Sequence, residues 1–94
     1  MALEIINLGE AFELKGSLNK SNVGIFKTHF KNIFKKNNQI VINIDDLKNI
    51  DNDGVLAFEE LYKKSLIKDK KLYITGFGCR DMYDHLKTLT IKVA

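Results

Sequence analysis

The sequence predicts a single α/β domain, spanning residues 1–94, in which amphipathic helices pack on a mixed sheet. Strand-like runs alternate with helix-like runs, a pattern that favours parallel strands joined by helical crossovers. The first two strand-like runs are separated only by a short turn, and such a turn joins antiparallel strands. The chain is 45% hydrophobic and 29% charged, the balance of a small domain with one core. We therefore expect four or five strands in the order β-β-α-β-α-β-α, with a final β as an option.

The first part of the chain holds two strand patterns and one helix pattern. Leu3 to Leu8 and Ala11 to Leu14 form the predicted hairpin, and Gly16 is expected to end its second strand. Apolar residues then recur mostly at spacings of three or four, which predicts one amphipathic helix. Its apolar stripe comprises Val23, Phe26, Phe30, Ile33 and Phe34. Asn19 and Ser21 are the candidate N-caps of this helix.

The middle of the chain predicts a buried strand followed by a second helix. Ile40 to Ile44 is nearly all apolar and rich in β-branched residues, which is typical of a central strand. Asp45 to Ile50 is predicted to be a connecting loop, and Val55 to Lys68 a helix. The apolar face of that helix is predicted to comprise Val55, Phe58, Leu61, Tyr62 and Leu66.

The last part of the chain predicts a strand, a turn and a third helix. The strand is Lys71 to Thr75, and the turn is Gly76-Phe77-Gly78. This turn lacks the third glycine and the lysine of a phosphate-binding loop, so we predict no nucleotide site there. Arg80 to Thr88 is the predicted helix, and Thr90 to Val93 is the optional final strand.

Composition and charge exclude several classes of function. The formal charge is +3, and the lysines fall near predicted helix ends, where cations complement the helix dipole. No aromatic residues interleave with these lysines, so nucleic-acid binding is not predicted. No apolar run reaches the length of a membrane span, and the first ten residues carry no secretory signal pattern. We expect a cytoplasmic protein that does not insert into membranes.

No catalytic or metal-binding set can be assembled from the histidines and the cysteine. His29 and His85 fall in predicted helices without other ligands at metal spacing, so both are expected at the surface. Cys79 is the only cysteine, which excludes an internal disulfide, and no base accompanies it. We therefore predict no enzymatic activity and no cofactor.

The acidic turn Asp51-Asn52-Asp53-Gly54 carries two competing hypotheses. In the first it belongs to a calcium loop of the EF-hand kind, running from Asn49 to Glu60. Asn49, Asp51, Asp53 and Glu60 then fall at ligand positions one, three, five and twelve of that loop, with Gly54 at six. Asn at the first position weakens the anionic cage, and a strand rather than a helix precedes the loop.

The second hypothesis is a resemblance that covers nearly the whole chain. Ile40 to Leu61 reads IVINIDDLKNIDNDGVLAFEEL, which resembles the core signature of STAS domains, the family of bacterial anti-sigma-factor antagonists. In that family an apolar strand and an acidic loop lead to Asp-Ser-Ser-Gly or Asp-Ser-Ala-Gly, followed by a leucine-rich helix. Asp51 and Gly54 match the first and last positions of this tetrapeptide. Gly16-Ser17-Leu18 also resembles the family's Gly-x-Leu, and the predicted order of elements matches the family layout.

The resemblance implies a phosphorylation switch that this chain has lost. In regulated STAS domains a partner kinase phosphorylates the hydroxyl of the third residue of the tetrapeptide, which here is Asp53. Neither Asp53 nor Asn52 has a hydroxyl, and a carboxylate carries less charge than the roughly −1.5 to −2 of a phosphate. Asp53 can also act as the N-cap of the helix, and the two roles are compatible. Asp51 is predicted to close the turn onto the backbone, and Gly54 to permit a close backbone approach.

By this resemblance the protein is a non-enzymatic protein–protein recognition domain in a bacterial partner-switching system. The implied partner is a serine kinase of the anti-sigma-factor type. The alternative is a STAS-like subunit of a membrane-lipid transport complex, bound to its ATPase. An open sheet edge makes a homodimer a further option. The predicted contact residues are Leu18, Asn19, Lys20, Ser21, Asp51, Asn52, Asp53, Gly54, Leu56, Glu59 and Glu60.

Overall fold

The computed structural model describes residues 2–76, which form strands and helices in the order β-β-α-α-β-α-β. The elements are β1 (Leu3–Leu8), β2 (Ala11–Leu18), α1 (Val23–Phe30), α2 (Ile33–Lys36), β3 (Gln39–Ile50), α3 (Asn52–Ile67) and β4 (Lys71–Thr75). The predicted helix Arg80 to Thr88 and the optional strand Thr90 to Val93 lie outside these residues, as do Cys79 and His85. No helix within residues 2–76 is both long enough and apolar enough to cross a bilayer.

The four strands form one mixed sheet in the order β1-β2-β3-β4. β1 pairs antiparallel with β2, whereas β3 is parallel to both of its neighbours. The segment with α1 and α2 connects β2 to β3, and α3 connects β3 to β4. The predicted α/β class and the mixed sheet are thereby confirmed. Because β2 and β3 are parallel, the chain leaves both strands at the same edge of the sheet.

β2 continues past Gly16, so the prediction that this glycine ends the strand is wrong. Gly16 has a φ of +91°, and the pairing of β2 with β3 shifts register directly after it. An added Cβ atom would collide with the carbonyl oxygen of Ala2. The glycine therefore creates an irregularity within the strand, and pairing resumes as far as Leu18 and Ile50.

β3 extends through Asp45 to Ile50, where the sequence predicted a loop. Two successive exposed residues, Asp45 and Asp46, interrupt the inside–outside alternation on which the prediction depended. At this point β3 has one residue more than β2, and the pairing accommodates it by a register shift between Glu13 and Lys15. The side chain of Leu47 is fully buried, and a second pair of exposed residues, Lys48 and Asn49, accompanies a second register shift.

The predicted first helix is divided into α1 and α2, but its apolar stripe points inward as predicted. Phe26, Phe30 and Phe34 are buried, and Val23 and Ile33 are partly buried against the same core. The division falls at residues 31–32, so the stripe spans two short helices rather than one.

α3 buries most of its predicted apolar face, but not Leu66. Phe58 is fully buried and packs on Phe26, with 4.9 Å between the ring centroids. Leu66 is 59% exposed, whereas Leu61 is 5% exposed. Five helical residues turn the side-chain direction by about 140° beyond a full circle, so Leu66 points away from the face of Leu61.

Leu61 and Leu66 offer a matched pair of substitutions on one helix. We expect Leu61→Ala to lower the free energy of unfolding by about 2–5 kcal/mol, because it leaves a cavity in the core. Leu66→Ala should change it by less than about 0.5 kcal/mol, because the side chain is largely in solvent. Urea unfolding followed by circular dichroism measures both. Equal losses in the two variants would contradict the assigned direction of Leu66.

Candidate functional site

The acidic turn and the loop after β2 lie side by side at one edge of the sheet. The last ladder pair of β2 and β3 joins Leu18 to Ile50. The backbone nitrogen of Asp51 then donates a hydrogen bond to the carbonyl oxygen of Leu18, at 3.1 Å. The parallel ladder thus brings together two segments that are about thirty residues apart in sequence.

The carboxylate of Asp51 bridges these two segments. Its Oδ1 atom accepts a hydrogen bond from the backbone nitrogen of Gly54 at 3.0 Å, which makes Asp51 the N-cap of α3. Its Oδ2 atom accepts one from the backbone nitrogen of Lys20 at 2.9 Å. The predicted closure of the turn by Asp51 is confirmed. The prediction that Asp53 is the N-cap is wrong, because Asp53 lies within the first turn of α3.

These two hydrogen bonds lower the pKa of Asp51 below the ordinary value of 3.8. The bond from Gly54 is the larger cause, and the bond from Lys20 is the second. Both bonds favour the charged carboxylate in the folded state. The resulting stabilisation is therefore present above pH 3.8 and is lost as the pH falls through the lowered pKa.

Asparagine side chains hold the loop after β2 in one conformation. The Oδ1 atom of Asn19 accepts from the backbone nitrogen of Ser21, and the Oδ1 atom of Asn22 accepts from that of Asn19, both at 2.9 Å. Asn22 also donates to the carbonyl oxygen of Ser17. Asn19 and Ser21 were predicted as helix caps, but the N-cap position of α1 is Asn22, without a side-chain cap bond. The role of Asn22 could have been predicted from the sequence, because Asn22 ends a run of four polar residues that is rich in turn-forming Asn and Ser.

Gly54 and Leu18 support the site from below its surface. An added Cβ atom on Gly54 would lie 2.6 Å from the Cγ1 atom of Ile50 and 2.9 Å from the carbonyl oxygen of Leu18. Gly54 is buried, and the side chain of Leu18 is fully buried. Neither residue can contribute a side chain to a contact surface, although both were among the predicted contact residues.

The other predicted contact residues reach the surface. Asp53, Leu56 and Glu60 lie on one side of α3, because residues three and seven positions apart share a helical face. Leu56 is 46% exposed, although it is a large apolar residue. Glu60 forms an ion pair with Lys27 of α1, and Glu59 forms one with Lys63. The exposed or partly exposed contact candidates are Asn19, Lys20, Ser21, Asp51, Asn52, Asp53, Leu56, Glu59 and Glu60.

The backbone does not fit the calcium hypothesis. Asn49 lies in β3 and pairs with Ser17 of β2. Asp53 and Glu60 lie about 10 Å apart along α3. An EF-hand loop must instead curl its ligands around one ion. Both oxygens of Asp51 already accept backbone hydrogen bonds. Among residues 2–76, no three His, Cys, Asp or Glu side chains form a group that could hold a metal ion.

The family model of the STAS domain matches residues 3–84, which is most of the chain. The chain belongs to the STAS domain family. No curated protein matches this STAS domain in sequence.

Solved structures with the same fold have little sequence in common with this STAS domain. The anti-sigma factor antagonist SpoIIAA in its unphosphorylated form has a TM-score of 0.76 at 13% identity, covering 99% of this chain and 87% of the other. A candidate anti-sigma factor antagonist from Thermotoga maritima has a TM-score of 0.74 at 15% identity, covering 97% and 84%. An uncharacterized DUF3478-family protein from Shewanella loihica, with a SpoIIAA-like fold, has a TM-score of 0.60 at 16% identity, covering 99% and 84%. These likenesses confirm the predicted fold class.

Two substitutions of Asp51 distinguish its hydrogen bond from Gly54, which caps α3, from its hydrogen bond from Lys20, which joins the loop after β2. An asparagine offers one acceptor oxygen, which can keep the bond from Gly54 but turns an amide nitrogen toward Lys20. We expect Asp51→Ala to lower the melting temperature by about 4–8 °C at neutral pH, and Asp51→Asn by less. The advantage of the wild type over Asp51→Asn should shrink as the pH falls below 3.8.

Thermal unfolding by circular dichroism between neutral and acidic pH measures these differences. Asp53→Asn is the matched control, because Asp53 lies next to the site without holding the bridge. A gap between the wild type and Asp51→Asn that stayed constant with pH would contradict a stabilising charged carboxylate.

Proposed function

We propose that this STAS domain is a non-enzymatic protein-recognition domain, similar to anti-sigma-factor antagonists, in a bacterial cytoplasmic partner-switching system. The observation that carries the proposal is the carboxylate bridge of Asp51. It fixes the acidic turn and the loop after β2 as one exposed surface. A surface ordered before binding costs less conformational entropy when a partner docks.

This surface, which we call the switch surface, comprises the exposed residues Lys20, Ser21, Asn52, Asp53 and Leu56. Leu56 supplies an apolar contact that a partner can bury, and its polar neighbours supply the hydrogen bonds and charge of a rim. The complementary partner presents an apolar pocket next to basic groups that meet Asp51 and Asp53. An anti-sigma-factor-type kinase is the partner class that the family resemblance favours.

Asp53 gives the switch surface a permanent negative charge. It lies in the first turn of α3, where the helix dipole favours an anion. Its carboxylate has no hydroxyl to receive a phosphoryl group, and Asn52 has none either. We infer that phosphorylation at this turn does not control partner binding. A kinase acting at this turn would therefore leave the affinity for the partner unchanged.

The switch surface predicts which substitutions disrupt partner capture. Leu56→Arg should reduce binding of the native partner at least tenfold, because it replaces an apolar contact with a buried charge. Ile25→Arg is the matched control, since Ile25 is 60% exposed on α1, outside the switch surface. Tagged protein in extracts of the native cell, with bound proteins quantified by mass spectrometry, measures both.

The identity of the captured protein decides between the two proposed systems. A kinase or sigma-factor regulator that is lost with Leu56→Arg and kept with Ile25→Arg supports partner switching. A transport ATPase with the same profile would favour the lipid-transport alternative instead. A partner lost equally with both variants would contradict the assigned surface.

Restoring the missing hydroxyl should restore the switch. We expect Asp53→Ser to gain one phosphoryl group from the partner kinase in the presence of ATP, whereas the wild type gains none at residues 51–54. Intact-protein and peptide mass spectrometry measure the modification. Asp53→Ala is the control for phosphorylation elsewhere. Absence of phosphate on Asp53→Ser, with a kinase active on another substrate, would contradict the equivalence of this position.

A further inference from the structure

Three segments of the chain meet at the end of the molecule opposite the switch surface. They are the last residues of α2, the last residues of α3 and the start of β4. Lys71 pairs with Gln39 across the sheet and donates its backbone hydrogen to the carbonyl oxygen of Asn38. The Nζ atom of Lys70 donates to the Oδ1 atom of Asn38 at 2.7 Å. α3 separates this end from the acidic turn by its 16 residues, which is about 24 Å of helix.

This end of the molecule, which we call the basic end, concentrates the positive charge of residues 2–76. Of the 12 basic and 10 acidic residues within residues 2–76, it contains five basic residues and one acidic residue, Asp69. The other seven basic and nine acidic residues of this range carry a small net negative charge. No ion pair involves the lysines of the basic end within residues 2–76. These lysines are Lys35, Lys36, Lys68, Lys70 and Lys71.

Complementing helix dipoles does not account for this cluster. α2 has only four residues, so its dipole is small. Lys70 and Lys71 belong to the turn after α3 and to β4 rather than to a helix. Lysines from three separate segments therefore lie at one end of the molecule, and the dipole of α3 accounts only for Lys68.

The most exposed of the large apolar side chains among the described residues belongs to the same end of the molecule. Ile67, the last residue of α3, is 85% exposed, and its neighbour Leu66 is 59% exposed. Lys68 follows directly in the sequence. An exposed apolar side chain next to lysines suits the interface of an anionic bilayer, where the apolar group enters among the headgroups and the cations meet lipid phosphates and carboxylates. Nucleic-acid phosphates would meet the lysines but would leave the side chain of Ile67 exposed to solvent.

We propose that the basic end docks this protein on the surface of an anionic lipid bilayer, with Ile67 entering the headgroup layer. The acidic turn then faces away from the membrane, because it lies at the other end of α3 and because its carboxylates are repelled by anionic lipid. A partner can reach the switch surface of the docked protein. The inference stands on residues outside the switch surface and is independent of the proposed function.

Vesicle co-sedimentation tests the proposal with the full chain. Vesicles of equal parts phosphatidylserine and phosphatidylcholine are compared with vesicles of phosphatidylcholine alone. We expect binding to the anionic vesicles only, weakened by high salt. Lys68→Gln/Lys71→Gln should lower the partition coefficient roughly 25-fold, since each lysine near such a surface contributes about fivefold. Ile67→Ser should lower it about tenfold.

Matched controls separate local docking from an effect of net charge. Lys15→Gln/Lys48→Gln removes the same charge outside the basic end and the switch surface, and Ile25→Ser removes an exposed isoleucine from α1. Binding that these controls leave unchanged supports the proposal. An equal loss in the controls, or no binding of the wild type to anionic vesicles, overturns it. So does duplex DNA that binds as tightly as the vesicles and is insensitive to Ile67→Ser, because the basic end would then be a nucleic-acid site.

Discussion

The carboxylate of Asp51 accepts one hydrogen bond from the start of α3 and another from the loop after β2. It joins residues that are far apart in sequence and adjacent only because β2 and β3 are parallel. Without it, the first turn of α3 would lack its cap, and the nitrogen of Lys20 would lose its acceptor. The exposed surface at this edge of the sheet depends on that one charged group.

Close packing beneath the bridge makes its geometry specific. Gly54 brings the first turn of α3 against Leu18 and Ile50 at distances that a side chain would not permit. Hydrogen bonds from Asn19 and Asn22 fix the neighbouring loop. These contacts hold a polar surface in place, with one exposed leucine, Leu56, on α3.

The protein also has two electrostatically different ends. Carboxylates collect where β3 ends and α3 begins, and lysines collect where α3 ends and β4 begins. The length of α3 separates the two ends by about 24 Å. This separation of acidic and basic residues follows from the direction in which α3 runs relative to the parallel strands.

The sequence by itself determined the α/β class, most of the inward apolar stripes of the helices and the closure of the turn by Asp51, because these depend on periodicity and on contacts between near neighbours. It also determined that no hydroxyl stands at positions 52 and 53. Only the tertiary structure decided that β2 continues through Gly16 and β3 through Asp45 to Ile50, since the partner strand supplies those hydrogen bonds. It alone decided that Lys20 completes the bridge, because nothing in local sequence links residues 31 positions apart.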